Sequence, residues 1–395
     1  MRSTSRFRFF ATCPRGLEPV LEEELRALGA ADVAATDGGV AFGGDLSTAY
    51  RVNYGSRVAS RVLWQIARGG YRSEEDLYRA VNRLDWSRYF GVDRTLRVNV
   101  SAIRSPLKSL DFVTLRIKDA VCDRFRAEQG RRPSVDTAHP DVRIHAFLTD
   151  RDFTLYLDTS GEALFKRGYR VDAGEAPLRE NLAAGILRLT GWKPEQPLLD
   201  PMCGAGTFLV EAAQMALGIP PGVRRSFGFE RLKSFDAARW RAVKEAWTGA
   251  GVPEGLRLFG ADRDAEMLER ARRNLGEAGL GRAVRLIHAD VLDVTPPPVP
   301  GVAVANPPYG VRMEEQDRLA AFYPRLGDAL KRKFAGWRAY LFTADLRLPK
   351  LIGLSASRRV PLYNGPLECR LYEFKIVSGA MRREKKQDSG PRTED

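Results

Sequence analysis

In the second half of the chain, four short apolar runs each end in a carboxylate or an amide that a turn follows at once. Pro197-Leu198-Leu199 leads into Asp200-Pro201-Met202-Cys203-Gly204-Ala205-Gly206-Thr207, and then into the helical pattern Phe208 to Ala213. Leu256 to Ala261 ends in Asp262, with Arg263 and Asp264 opening the next helix. Val284 to Ala289 ends in Asp290, and Val302 to Ala305 ends in Asn306-Pro307-Pro308-Tyr309-Gly310. Strand, polar loop and helix in repetition describe an open α/β sheet, in which ligands collect at the carboxyl ends of the strands. Each acid taken alone is as good an N-cap as a ligand. The ordered set of four is far more specific.

The chemistry of the loops narrows the ligand. The Asp200 loop is neither a G-x-G-x-x-G fingerprint nor a P-loop, because no Gly-Lys-Ser/Thr follows it. It contains no lysine or arginine, which disfavours a polyphosphate, and Asp200 favours a cationic group. S-adenosylmethionine (SAM), with its α-amino group and sulfonium, meets both conditions. Asp200, Met202, Cys203, Gly204, Gly206 and Thr207 are therefore expected to hold the cofactor, Asp262 with its neighbour Arg263 the ribose, and Asp290 the adenine amine. Further on, Pro307 and Pro308 fix φ at successive positions and remove two backbone donors. That leaves the Asn306 side-chain oxygen and the Pro307 carbonyl as acceptors, with the Tyr309 ring beside them. Two acceptors and a stacking ring suit a planar exocyclic amine such as that of guanine or adenine. Asn306, Pro307, Pro308 and Tyr309 are the expected catalytic residues.

The first half reads differently. Leu17, Leu21, Leu25 and Leu28 lie on one face of a helix from Arg15 to Leu28, with Glu22-Glu23 on the other. Leu96, Val98 and Val100, then Val142, Ile144, Ala146 and Leu148, then Phe153, Leu155 and Leu157 alternate with other residues as half-buried strands do. Val113, Ile117, Val121 and Phe125 recur at helical spacing between them. The formal net charge is +13, with 28 basic against 22 acidic residues up to Arg170 and 35 against 28 beyond it. An excess spread over both halves suits a polyanionic partner that touches more than one domain. Cys13, Cys122, Cys203 and Cys369 are far apart and show no metal spacing, which fits a reducing cytoplasm and no metal. No apolar run approaches the length of a membrane span.

From about Asp200 onwards the chain resembles class I SAM-dependent methyltransferases of the Asn-Pro-Pro-Tyr amino-methylating kind. Phe10-Ala11-Thr12-Cys13-Pro14-Arg15-Gly16-Leu17-Glu18, Leu157-Asp158-Thr159-Ser160-Gly161, Arg167-Gly168-Tyr169-Arg170 and Tyr363-Asn364-Gly365-Pro366-Leu367 extend the likeness. Together they resemble the RlmL family of bacterial 23S rRNA guanine-N2 methyltransferases over roughly residues 5 to 376. The resemblance implies an α/β chain: a ferredoxin-like unit over 1–70, a THUMP RNA-binding unit over 71–165, and a linker with a leading helix over 166–196. A Rossmann-like methyltransferase domain would follow over 197–378, with an insertion at 219–255. In that leading helix Pro177, Glu180 and Asn181 are weak candidates near the cofactor. Residues 379–395 are charged and apolar-poor, as a disordered tail is. Many members of the family carry a second methyltransferase behind the first. Here the chain ends soon after Val377, so that second activity is expected to be absent. Guanine in a tRNA acceptor stem is the alternative substrate, and an RNA-binding assembly factor without catalysis the alternative role. In the insertion, Arg224, Arg225, Phe227, Phe229, Arg231 and Lys233 read either as an RNA-stacking surface or as a self-packed lid.

Overall fold

Alternating residues build the first sheet. The computed structural model describes residues 7–171, 178–249, 251, 255–308 and 313–377. Strands β1 (Phe7–Thr12), β2 (Ala31–Thr36), β3 (Gly39–Gly44), β4 (Arg61–Gly70), β5 (Leu96–Ala102), β6 (Val142–Leu148) and β7 (Asp152–Asp158) form one sheet in the order β2-β3-β1-β4-β7-β6-β5. Every pair in it is antiparallel except β5 with β6. The strands before and after residue 70 therefore share a single sheet, joined where β4 lies against β7. Helices α1 (Glu18–Ala27), α2 (Leu46–Gly55), α3 (Glu74–Asn82) and α4 (Leu110–Gln129) supply its helical layer. Leu17, Leu21 and Leu25 of the α1 stripe are buried and Leu28 is half-buried; Val113, Ile117, Val121 and Phe125 of α4 are buried too. Ser109 caps α4 at its start, and Gly130, at φ +68°, ends it in the left-handed region that glycine enters without strain.

The centre of the second sheet comes from short apolar runs, Leu198-Leu199 and Val302 to Ala305. It contains β8 (Leu198–Asp200), β9 (Leu258–Asp262), β10 (Val284–His288), β11 (Val302–Ala305), β12 (Arg338–Thr343), β13 (Arg358–Asn364) and β14 (Leu367–Lys375) in the order β10-β9-β8-β11-β12-β14-β13. The first five in that order run parallel, and β14 and β13 close the edge as an antiparallel hairpin. All four residues of β11 are buried, as parallel strands covered on both faces require. The strand order reverses between β8 and β11, so two loops part there and leave a crevice. Helices α5 (Glu180–Thr190), α6 (Thr207–Ala216), α7 (Ala237–Glu245), α8 (Ala265–Glu277), α9 (Met313–Lys333) and the short α10 (Leu348–Leu351) complete the fold among the described residues. No helix among the described residues is long and apolar enough to cross a membrane.

The two sheets are held together by a shared core, which runs from Phe9 and Leu17 through Tyr54 and Trp240 to Leu182, Phe208 and Leu371. At Gly185 of α5, a Cβ would lie 2.3 Å from a methyl of Leu17, so glycine is what lets α1 and α5 meet. At Gly16, a Cβ would lie 2.4 Å from the carbonyl oxygen of Pro361 in β13. The insertion packs the same way. Phe229 and Trp240 are buried against Tyr50 and Tyr54 of α2, and the buried Phe227 stacks on Phe229. Arg225 donates to the carbonyl oxygens of Ala163 and Glu162 at 2.6 and 2.5 Å. The aromatic residues of the insertion thus bind the first half of the chain and do not present themselves to a ligand.

Polar groups fix the same junction. Glu211 of α6 is fully buried between Arg167, whose Nε donates to it at 3.1 Å, and Arg57, at 3.7 Å. Arg57 reaches in from the first half and also donates to the carbonyl oxygens of Gln214 and Ile219. Arg167 returns the contact by donating to the Arg57 carbonyl at 2.6 Å. The helix that begins at the Asp200 loop is thereby anchored to the loop between α2 and β4 of the N-terminal half.

Candidate active site

The ends of β8, β9, β10 and β11 open into one cavity of about 890 Å³, within the range of small-molecule sites. Its wall includes Asp200, Met202, Cys203, Gly204 and Thr207 from the first loop, Asp262 and Arg263 from the second, Asp290 from the third, and Asn306, Pro307 and Pro308 from the fourth. Four segments far apart in sequence are thus brought to one place. Gly206 is the exception. It is buried at φ +82°, and a Cβ there would lie 3.2 Å from that of Ala271, so it lets α8 pack close to the loop. Tyr309 lies outside the described residues, as do Pro177 and the 379–395 segment.

The loop holds its shape through its own acids. Asp262 accepts from the amide of Gly204 at 2.8 Å with one oxygen and from that of Asp264 at 3.0 Å with the other. Each oxygen keeps a further lone pair for a ligand hydroxyl. Gly204 sits at φ +50°, which orients its amide toward that carboxylate. Asp290 accepts from Leu292 at 2.9 Å. Asp200 is 2% exposed and accepts only from the amide of Met202, at 3.2 Å, among the described residues. Burial pushes its carboxyl well above the usual range; the Met202 amide opposes this, and the neighbouring Asp262 adds to it. A buried carboxyl without a cation is a good receptor for one. Burial also raises the Cys203 thiol, so that side chain is an inert wall and not a nucleophile.

Several wall residues escape a reading by strand ends. Arg170 precedes β8, the first strand of the second sheet, yet it lines the cavity and donates to the Thr207 hydroxyl at 3.0 Å. Its Nε meets Glu180 at 2.8 Å, which is how the weak candidate Glu180 comes near the site. Asn181 turns away, donating to Val58 and Ser60 of the N-terminal half. Arg318, Leu319, Phe322 and Arg325 of α9 form the opposite wall. Leu319 and Phe322 look like ordinary core positions in the sequence. The flanking arginines, seven apart on the same face, are the signal that could have marked this side as a ligand wall. Among the described residues no group of His, Cys, Asp and Glu is arranged to hold a metal.

Comparison with known proteins agrees with this geometry. Residues 167–373 match the family model described as "RMKL-like, methyltransferase domain". Residues 71–158 match the THUMP domain and 8–63 the RlmL ferredoxin-like domain. A Synechocystis protein, slr0064, assigned as an RNA methyltransferase, is 39% identical over 371 residues, which are 93% of this chain and 96% of that protein. Ribosomal RNA large subunit methyltransferase K/L of Methylococcus capsulatus is 42% identical over 93% of this chain. The chain spans about half of that longer relative, 51%. Among solved structures, SMU.472, assigned as a methyltransferase and crystallised with S-adenosylhomocysteine (SAH), is 32% identical with a TM-score of 0.85. That match covers 95% of this chain and 99% of SMU.472. The cofactor of the fold is SAM. The cavity fits it in size, in its acid-lined strand ends and in the buried Asp200, which pairs with no cation among the described residues.

Proposed function

This chain belongs to the RMKL-like methyltransferase family, and on that premise we propose that it methylates the exocyclic N2 amine of a guanine in RNA, with 23S ribosomal RNA as the substrate and the cytoplasm as the place of action. The observation that carries this reading is that the Asp200 loop and the Asn306-Pro307-Pro308 loop open into the same cavity. Cofactor and target amine can then meet within it. SAM supplies an electrophilic methyl group when bound. The difficulty lies with the nucleophile, whose lone pair is delocalised into the base. Asn306 Oδ1 and the Pro307 carbonyl accept the two amine hydrogens, favour a tetrahedral nitrogen and stabilise the positive charge that grows on it. Asn306 is neutral and is no base, so the proton leaves to water after transfer. Holding the amine in line with the methyl supplies much of the remaining acceleration. The guanine must leave its stack to enter, and Tyr309 offers it a replacement surface. The THUMP match favours RNA over DNA. Labelled methyl should pass to an RNA transcript and not to a DNA of the same sequence; equal labelling of the two would contradict the reading.

On the cofactor side, we assign Asp200 to the α-amino group, Asp262 with Arg263 to the ribose, and Asp290 to the adenine amine. Asp262→Ala should weaken SAM by about 1–3 kcal/mol, from the lost ribose hydrogen bonds. Asp200 gives a pH signature. Its carboxyl is raised above its ordinary 3.8 and must ionise to receive an ammonium, so binding expels a proton below the raised value. SAM affinity should therefore rise with pH above the ordinary carboxylate range and level off once Asp200 is ionised. Titration calorimetry in buffers of different ionisation enthalpy reads the released proton directly. Asp200→Asn should abolish the release, and a pH-independent affinity in wild type would remove Asp200 from this role.

On the substrate side, Arg318 and Arg325 are exposed and form no ion pair among the described residues. They stand about 10 Å apart along α9, flanking Phe322 at the cavity wall. Contacts to phosphates release counterions, so RNA affinity should fall steeply with salt. Changing both arginines to glutamine should flatten the slope of log K against log[salt] by about 2, with SAM affinity unchanged. An unaltered slope would place the RNA elsewhere.

A further inference from the structure

The strands of the first sheet turn one face to the helices and leave much of the other uncovered. Phe9, Trp64, Leu155 and Ile144 point inward and share a core with Leu21 of α1 and Ile117 of α4. Their neighbours along each strand point the other way, as strand geometry requires. Register sets those neighbours in rows across the sheet. Gln65 of β4, Tyr156 of β7, His145 of β6 and Asn99 of β5 stand side by side, and all four are half-buried. The next row holds Arg68, Thr154, Phe147 and Ser101, and none of these is buried. Phe10 of β1 lies on the same face, with its ring 6.3 Å from that of Tyr156 across β4. Phe147 is the diagonal neighbour of Tyr156, about 7–8 Å away. Three aromatic rings thus stand on an open sheet face. The contact of Phe10 with Tyr156 crosses from the ferredoxin-like match to the THUMP match.

What stands between and around the rings decides the partner. Neither row contains a carboxylate. Gln65, Asn99 and His145 offer side-chain donors and acceptors of the kind that meet base edges. Arg8 is exposed two residues before Phe10, and Arg97 stands two residues before Asn99 and donates to the Thr137 carbonyl. Neither arginine forms an ion pair among the described residues. Arg68 meets only Asp152, at 3.3 Å and well exposed, a pair that contributes little. Cations around a polar, acid-free face with stacking rings complement a polyanion that carries planar groups. We propose that this face is a platform for an unpaired stretch of the RNA substrate. Bases stack on Phe10, Tyr156 and Phe147, the polar side chains touch base edges, and the arginines hold phosphates. A duplex keeps its bases inside and offers the rings nothing, so the face selects single-stranded nucleotides. The proposal rests on the reading that RNA is the substrate and is independent of which base is methylated.

A pyrimidine-only RNA of about twelve nucleotides contains no guanine, so it probes the platform without filling the active site. Fluorescence anisotropy with the intact chain should show it binding about tenfold or more tighter than the same strand annealed to its complement. Tyr156→Leu and Phe147→Leu keep an apolar side chain and remove the ring. Each should weaken the single strand by about 5- to 100-fold and leave SAM affinity unchanged, which also reports that the variant has folded. Tyr156→Phe keeps the ring and should bind as wild type does. Arg8→Gln should flatten the slope of log K against log[salt] by about 0.7. Three results would overturn the proposal. The first is a duplex bound by wild type as tightly as the single strand, a test that needs no variant to fold. The second is wild-type affinity in both leucine variants. The third is a wild-type chain that sediments as a dimer and a Tyr156→Leu chain that does not, which would make the face an interface between copies. Failure of the guanine-N2 reading would leave these oligonucleotide affinities as they are, and failure of the platform would leave the methylated nucleoside unchanged.

Discussion

Asn306→Ala is expected to lower the methyl-transfer rate constant by about 10²- to 10³-fold, the effect of removing one preorganised partner of a developing charge, while SAM affinity stays nearly unchanged. The side-chain oxygen matters little in the ground state, when the amine hydrogens can bond to water. It matters most as the nitrogen becomes cationic in a cavity that water has left. The loss should therefore appear in the rate constant and not in cofactor binding. Tyr309 gives a companion measurement. Tyr309→Ala should weaken productive base binding by about 1–3 kcal/mol, and Tyr309→Phe, which keeps the ring, far less. Single-turnover methylation with SAM-competent variants decides both. Near-wild-type rates for Asn306→Ala and Tyr309→Ala would leave the motif a structural turn.

The second large effect concerns stability. Glu211 is fully buried and is the only carboxylate that meets Arg57 and Arg167 together among the described residues. Glu211→Gln keeps the shape and removes the charge, leaving two guanidiniums to face each other out of water. Breaking a buried pair in this way costs about 3–5 kcal/mol. The exposed pair Arg26–Glu22 is the control, since Glu22→Gln should cost less than about 1 kcal/mol. Urea unfolding followed by tryptophan fluorescence reads both. Because Arg57 belongs to the first half and Glu211 to the second, the two halves should lose stability together. A Glu211→Gln protein as stable as the Glu22→Gln control would show that the junction is held by apolar packing alone.

That the four strand ends meet in one cavity was legible because its signals are local. A strand end, a glycine loop and a proline pair each occupy a few consecutive residues, and turn chemistry is set over that range. The parallel pairing of β8, β9 and β10 follows from strands that alternate with helices. What was hidden depends on long-range pairing. Nothing near Gly70 announces that β4 will lie against β7 and merge two units into one sheet. Nothing near Gly16 or Gly185 announces which neighbour comes close enough to exclude a side chain. The aromatic residues of the insertion carried the composition of an RNA surface, yet Tyr50 and Tyr54 claim them. Arg170 was visible as part of a motif, but its reach to Thr207 crosses 37 residues. The shared core has a practical consequence: cutting the chain near Arg170 would expose Leu17, Val58 and Leu182 at once. RNA recognition by the first half is therefore better probed by point substitutions than by truncation.

The central claim is the transfer of a methyl group from SAM to guanine N2 in large-subunit ribosomal RNA. Incubating the intact chain with methyl-labelled SAM and separate pools of unmodified 23S rRNA, 16S rRNA and tRNA, then digesting to nucleosides, tests it in one measurement. The account predicts label in 23S rRNA, recovered as N2-methylguanosine at a single position. Label recovered as N6-methyladenosine, or as N2-methylguanosine in tRNA alone, would contradict it.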